Sequence, residues 1–388
     1  MGLLLGLVIA SGIVVALQLP LLHPQSSVQV NGAALTLTSS APPLVWPDVG
    51  SAALDIPALG VLEGHHNAVV PIASLTKMMT AYVALKKLPL GLDETGPCFV
   101  VSSDDVETYD EMVDLGESRV PVVAGEQLCE LDLLNGLLVH SAGNYAVMLA
   151  NLAAGTNEAF VADMNTEASG LGLSGTHYDD VTGLSPDSVS TALDQARLAT
   201  LLMKSPLVRS IVDQSAVTLP DAGLVASFTP DVGYDHVIGV KSGRTLEAGG
   251  CDVMAMTFQD GTATRVVYAV VLGQQGGNLL GPAGDAALAL ANSAVAERSH
   301  YTFAKGQVYG SISWGAKRDP FTLASSHEIW WWPAQGTPTA SVAVRVFTSS
   351  IHRGEIVGSL DVQGRTNHVY ALRATANLSP PTLLQRLR

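Results

Sequence analysis

Basic residues are scarce in this chain. Lys and Arg number 20 against 35 Asp and Glu in 388 residues, a formal net charge of −15 with His neutral. That balance argues against nucleic acid as a partner, and against binding anionic lipid through a surface patch. Cysteine is scarcer still: Cys98, Cys129 and Cys251 have no metal-ligand spacing. The only histidine pair, His65-His66, has no third ligand nearby and reads as an exposed turn. There is no internal repeat. Only 14% of residues are charged, yet Gly and Pro sit in turns rather than low-complexity tracts, so the chain is a folded protein with material for a large core and two domains.

Residues Gly2 to Leu22 lack any charged side chain and form a nearly continuous apolar run, long enough to span a bilayer. No basic n-region precedes the run and no clear A-x-A site follows it. Residues 1–22 are therefore expected to be a signal anchor rather than a cleaved signal, with the rest of the chain outside the cell and secreted if the run is cleaved. Residues 23–47, rich in Ser, Pro and Ala with an alternating piece from Val28 to Leu37, read as a stalk.

Pro71-Ile-Ala-Ser-Leu-Thr-Lys-Met-Met-Thr80-Ala-Tyr-Val-Ala-Leu85 reads as a helix apolar nearly all round, and therefore buried. Ser74 and Lys77 interrupt it at i, i+3, on one face. A buried lysine is costly to keep charged, and a neutral amine beside a hydroxyl can take its proton. Alone, S-x-x-K is a weak signal, equally met by a helix cap and a lysine reaching for water.

Two further polar islands follow. Ser141 and Asn144 lie in a small-residue break between the helices expected at 128–139 and 145–154. Lys241-Ser-Gly-Arg-Thr245 closes a strand expected at 236–241. Strands at 251–258 and 264–272 are joined by a hairpin at Asp260-Gly261, and a helix at 283–297 ends the domain. Beyond His300 the pattern changes to short alternating strands.

These islands carry a resemblance. S-x-x-K, S-x-N and K-[ST]-G in that order are the three elements of the penicillin-recognising serine enzymes. The chain resembles the serine-type D-alanyl-D-alanine carboxypeptidases, the low-molecular-weight penicillin-binding proteins, and looks most like their actinobacterial members. Besides the three elements, Thr176-His-Tyr-Asp, Gly183-Leu, Ser190-Thr-Ala-Leu-Asp194 and Gly249-Gly-Cys251 carry the likeness. It implies a mixed α/β, DD-peptidase/β-lactamase-like fold: an antiparallel sheet flanked by helices over residues 48–298, plus a small C-terminal all-β domain at 299–388.

It also implies a reaction. Ser74 attacks the carbonyl between the terminal D-alanines of a peptidoglycan stem peptide, with Lys77 as base. The backbone N–H groups of Ser74 and Arg244 hold the oxyanion. Ser141 and Lys241 relay protons to the leaving D-alanine, and Lys241, Ser242 and Thr245 hold its carboxylate, with Gly243 and Arg244 completing the substrate-binding strand. β-Lactams would act as covalent inhibitors, and no metal or cofactor is needed.

Two departures stand out. Ser242 replaces the more usual Thr of K-[ST]-G. The middle element reads Ser-Ala-Gly-Asn, placing the asparagine one residue late. The reading adopted is that Gly143 lets the backbone bulge and bring Asn144 to the motif position beside Lys77; the alternative is that Asn144 caps the following helix. A class A β-lactamase would need a deacylating glutamate, and no E-x-x-L-N stands between the second and third elements. A wall-associated protein that binds peptide ends without hydrolysis is the other alternative. Cys98 and Cys129 form the only plausible disulfide, and Cys251 is expected as a buried strand thiol.

Overall fold

The S-x-x-K segment folds as expected in kind, with a tighter start. In the computed structural model, Ala73–Leu75 form one 3-10 turn that runs into helix α1, Thr76–Lys87. Pro71 lies just outside, in a two-residue strand paired with Val189 and Ser190. Every residue of α1 from Thr76 to Ala81 is buried, as an all-apolar helix surface requires, and the exposed Lys86 and Lys87 suit the negative end of the helix dipole. The structure describes residues 26–31, 36–39, 42–296, 298–314, 317–324, 326–332, 335, 338–363 and 367–382. The run expected as an anchor at 1–22 lies outside them. Among the described residues no helix is long and apolar enough to cross a membrane.

Chain contacts divide the molecule into two units, one spanning Pro43–Ala296. Its five-stranded antiparallel sheet takes strands β1 (Ser51–Ile56), β2 (Val61–His65), β3 (Val237–Thr245), β4 (Gly249–Asp260) and β5 (Ala263–Gln274) in the order β3-β4-β5-β1-β2. Gly261 and Thr262 make the tight hairpin between β4 and β5. The helices are α2 (Ser103–Asp114), α3 (Glu130–Leu138), α4 (Gly143–Ala154), α5 (Asn157–Gly170), α6 (Ala192–Leu202), α7 (Pro206–Val212) and α8 (Leu280–Val295). Helices α6 and α8 pack on the sheet, while α3, α4 and α5 pack around α1. The shared core joins Leu75, Met78 and Met79 of the first segment to Leu137, Tyr145, Phe160, Leu198 and Val253, each fully buried.

Helix α2 was not expected. Its acidic sequence reads as an exposed segment, yet Ser102 and Asp105 form a capping box and Met112 is buried. Cys98 and Cys129 face each other across the short strands Cys98–Val100 and Gln127–Cys129, and they are disulfide-bonded, with Cα atoms 3.9 Å apart. The bridge closes the excursion that carries α2. Cys251 is a buried thiol, as expected, and burial pushes it up to about 12.

The second unit joins the described residues before Pro43 to those from Arg298 onward. A six-stranded antiparallel sheet runs, in spatial order, Ser27–Val30, Val308–Trp314, Lys317–Leu323, His368–Ala374, Ile356–Gln363 and Thr339–Val344. A three-stranded sheet runs His327–Trp331, Ser299–Phe303 and Thr36–Ser39. Phe303, Phe321, Val357 and Leu360 fill its core. This corrects the reading of 23–47 as a stalk: residues 27–30 and 36–39 are strands whose partners lie at the far end of the chain.

Candidate active site

Two lysines meet two serines in one cleft. Lys77 is fully buried and donates to Ser74 Oγ at 2.9 Å, to the carbonyl of Thr182 at 2.9 Å and to Glu117 Oε1 at 3.0 Å. These three oxygens surround the Lys77 nitrogen. Lys241 on β3 is also fully buried and donates to Ser141 Oγ at 2.9 Å and to the carbonyl of Ser242 at 2.7 Å. Burial, and then the charge of Lys77, push Lys241 down to about 7. On β4 the neighbouring Asp252 is fully buried too; burial raises its carboxyl well above the usual range, with the charge of Lys241 opposing the rise. Ser74, Gly116, Glu117, Ser118, Ser141, Phe228, Ser242, Gly243 and Arg244 all line the cleft.

The backbone is shaped around these groups. Ala73, just before Ser74, and Ser141 have φ of 48° and 62°, the left-handed region that costs a non-glycine residue about 1–3 kcal/mol and recurs at functional sites. A Cβ on Gly243 would stand 2.6 Å from the Ser74 amide nitrogen, so a glycine is needed for β3 to run this close to the serine. The Thr182 carbonyl is aimed by its own loop. The Asp180 carboxylate accepts from the backbone N–H groups of Thr182, Gly183 and Leu184 and from Ser188 Oγ. Gly183, at φ 83°, lies so close to Ala73 O that no side chain fits.

Of the nine residues singled out from sequence, Ser74, Lys77, Ser141, Lys241, Ser242, Gly243 and Arg244 come together here. Asn144 does not stand where expected. Asn144 is buried in the first turn of α4, where its Nδ2 donates to the carbonyl of Val120 at 2.8 Å and its Oδ1 accepts from the Val120 N–H at 3.1 Å. It therefore neither bonds to Lys77 nor caps α4, whose N-cap is Ala142. Thr245, at the end of the same strand, accepts at Oγ1 from the Ala248 N–H in the β3–β4 turn. The Ser242 hydroxyl donates to the Phe228 carbonyl at 2.8 Å, and the Arg244 guanidinium to the Asn278 carbonyl at 2.9 Å.

Two residues that touch Lys77 escaped the sequence reading. Thr182 sits in a loop whose Thr176-His-Tyr-Asp and Gly183-Leu text carried the family likeness without a role. Glu117 sits in the acidic excursion and takes the space beside Gly143, where a Cβ would lie 2.9 Å from Glu117 Cγ.

The peptidase S11 profile, described as D-alanyl-D-alanine carboxypeptidase, matches residues 60–276, more than half of the chain. The chain belongs to this family. It is 35% identical over 210 residues to the D-alanyl-D-alanine endopeptidase of Pseudomonas aeruginosa, covering 51% of this chain and 63% of that protein. It is 29% identical to D-alanyl-D-alanine carboxypeptidase DacF of Bacillus subtilis, covering 50% of each. With DacA of Escherichia coli it shares 31% identity over 46% of this chain and 44% of the relative. It thus spans less than two thirds of the length of these curated S11 relatives. Among solved structures, DacD from Francisella tularensis superposes with a TM-score of 0.61 at 19% identity, covering 90% of this chain and 99% of that one. The Streptomyces K15 DD-transpeptidase gives 0.56 at 24% identity, covering 66% and 98%. These likenesses establish the S11 fold: a mixed α/β unit built on an antiparallel sheet, with a C-terminal β domain in the longer match.

Proposed function

We propose that the chain is a serine D-alanyl-D-alanine carboxypeptidase that removes the terminal D-alanine from peptidoglycan stem peptides through an acyl-enzyme on Ser74. The observation that carries this reading is the 2.9 Å bond between Lys77 Nζ and Ser74 Oγ, in a cleft that also holds the Ser141–Lys241 pair. Ser74 attacks the penultimate carbonyl, and its proton passes to Lys77 acting as the neutral amine, which leaves a Lys77 ammonium beside the acyl-enzyme. The tetrahedral oxyanion lies between the backbone N–H groups of Ser74 and Arg244, at the close approach that Gly243 permits. The Lys241 ammonium faces the substrate carboxylate and, through Ser141, returns a proton to the departing amine. Water then releases the shortened peptide. β-Lactams enter by the same attack, since the lactam amide stands where the D-Ala-D-Ala amide would.

The test is D-alanine release from a pentapeptide ending in D-Ala-D-Ala. Wild type is expected to release it, and Ser74→Ala to be slower by about 10⁴-fold. Absence of release by wild type would favour a non-hydrolytic peptide-binding protein. We further infer attachment to the cell membrane with the catalytic unit on its outer side, supported by the uncharged apolar run from Gly2 to Leu22. Recovery in salt-washed membranes of cells expressing the chain, lost on deleting residues 2–22, checks it.

A further inference from the structure

Glu117 is an ionisable cleft residue that the reaction above does not use. Its side chain is only 11% exposed, it is ion-paired to Lys77 at 3.0 Å, and it lines the same cleft as Ser74. Its place is tied to the departure in the middle motif. An asparagine at 143 would need the space that Glu117 occupies, because a Cβ there meets Glu117 Cγ at 2.9 Å and Met112 Sδ at 3.0 Å. With Gly143 in that position, a carboxylate stands against Lys77 where the expected amide would have been.

The loop that carries Glu117 is fastened on both sides. Its N–H donates to the Met112 carbonyl at 3.0 Å, and its own carbonyl accepts from Arg119 Nη1 at 2.8 Å. Beyond it, the Gly143 N–H donates to the Ser118 carbonyl, and the Asn144 amide holds both backbone groups of Val120. Asn144 is thus a positioning residue for the Glu117 loop, its amide spent on Val120 rather than on Lys77.

A carboxylate differs from an amide in one decisive way. It cannot donate to a substrate carbonyl, but it can accept a proton. We propose that Glu117 is the proton acceptor for the water that clears the acyl-enzyme, an inference that rests on the carboxypeptidase reading of the same cleft. A water O–H bond breaks, its proton passes to Glu117, and its oxygen bonds to the acyl carbon. The ester bond to Ser74 Oγ then breaks, and Oγ takes a proton from the Lys77 ammonium. Glu117 hands its proton to Lys77 across their hydrogen bond, which returns the pair to the ammonium and carboxylate of the acyl-enzyme. The Lys77 ammonium then gives up the proton it took in acylation, in exchange for the one that Lys241 passed to the departing amine. The hydrogen bond between Lys77 and Glu117 keeps both groups beside the ester. The same step acts on any acyl group on Ser74, so penicilloyl-enzyme is hydrolysed and the chain slowly destroys penicillin.

The experiment follows acylation and release of benzylpenicillin on full-length wild type, Glu117→Gln and Glu117→Ala by quenched-flow mass spectrometry. Glutamine keeps the shape and an acceptor for Lys77 but takes no proton. Glu117→Gln is expected to label Ser74 at least as fast as wild type, because removing the ion pair frees the amine for Ser74. It is expected to lose the label about 10²–10⁴-fold more slowly, the usual share of a general base. Glu117→Ala is expected to clear as slowly, and to be accelerated by added formate. Clearance at the wild-type rate in Glu117→Gln overturns this inference alone. So does an equal fall in labelling and clearance, which would reduce Glu117 to a partner for Lys77. A wild type that is never labelled on Ser74 overturns the carboxypeptidase reading and this inference with it.

Discussion

The two lysines of the cleft look alike and are not. Each is fully buried, and each donates to a serine hydroxyl at 2.9 Å. Lys77 has a carboxylate at 3.0 Å, whereas Lys241 bonds a backbone carbonyl and is pushed down to about 7 by burial and by the charge of Lys77, against the opposing pull of Glu117 and Asp252. Burying a charge is tolerable when a counter-charge comes with it and costly otherwise. One fold therefore keeps a lysine with a carboxylate beside Ser74, and across the cleft a lysine that changes charge near neutral pH. That division suits a reaction that needs proton transfer at one end of the scissile bond and a switchable cation at the other.

The largest expected break in this comparison is Lys77→Arg. Arginine keeps the charge and the ion pair with Glu117 but does not give up its proton. Penicillin acylation, followed by stopped-flow fluorescence with a labelled penicillin, should fall by about 10²–10⁴-fold, with thermal unfolding little changed. A wild-type rate would mean that Lys241, through Ser141, activates Ser74.

Next in size is the disulfide. Cys98–Cys129 closes the excursion holding α2 and the Glu117 loop, so it supports the Lys77 side of the cleft and not the Lys241 side. Replacing both cysteines with serine should cost about 3–4 kcal/mol by the loop-entropy relation, read by urea unfolding. A loss under about 1 kcal/mol would mean that the excursion holds itself without the bridge.

Asn144→Ala strips both Val120 backbone groups of their partner and should cost about 1–3 kcal/mol. It should slow release of the penicilloyl group while leaving the pH response set by Lys241 intact. A shifted pH response would place Asn144 with the other lysine.

The gentlest test is pH itself. Lys241 is an ammonium below about 7 and neutral above it. kcat/KM, which reports the free enzyme, should therefore fall as pH rises through that value, approaching about tenfold per unit for a carboxylate-ended peptide. Lys241→Met should abolish the inflection along with most of the activity. A wild-type profile flat from pH 6 to 9 would contradict the assignment.

How much of this was legible in the sequence depended on whether the signal was local. The helix of Ser74 and Lys77, the α3–α4 break at Ser141 and the strand ending in Lys241 each announce themselves by periodicity, capping or a small-residue break, and their chain order fixed the family. Helix α2 carries little signal of its own, because only Met112 is fully buried and Val106 and Tyr109 pack half-buried against the core. The strands at 27–30 and 36–39 were read as stalk because their partners lie more than 250 residues away. Asn144 was misplaced because a motif alphabet expects an amide at Lys77, while the fold supplied a carboxylate from another segment. Glu117 carried no signal of its own. Only Gly143, a missing side chain, hinted that something else must fill that space.

The account turns on Ser74 being the atom that bonds. Incubating the protein with benzylpenicillin, digesting it and mapping the adduct by mass spectrometry tests this most directly. The account predicts one penicilloyl group per chain, on the peptide containing Ser74 and Lys77, absent in Ser74→Ala and lost from the wild type with time. An adduct on another residue, or none at saturating penicillin, would contradict it.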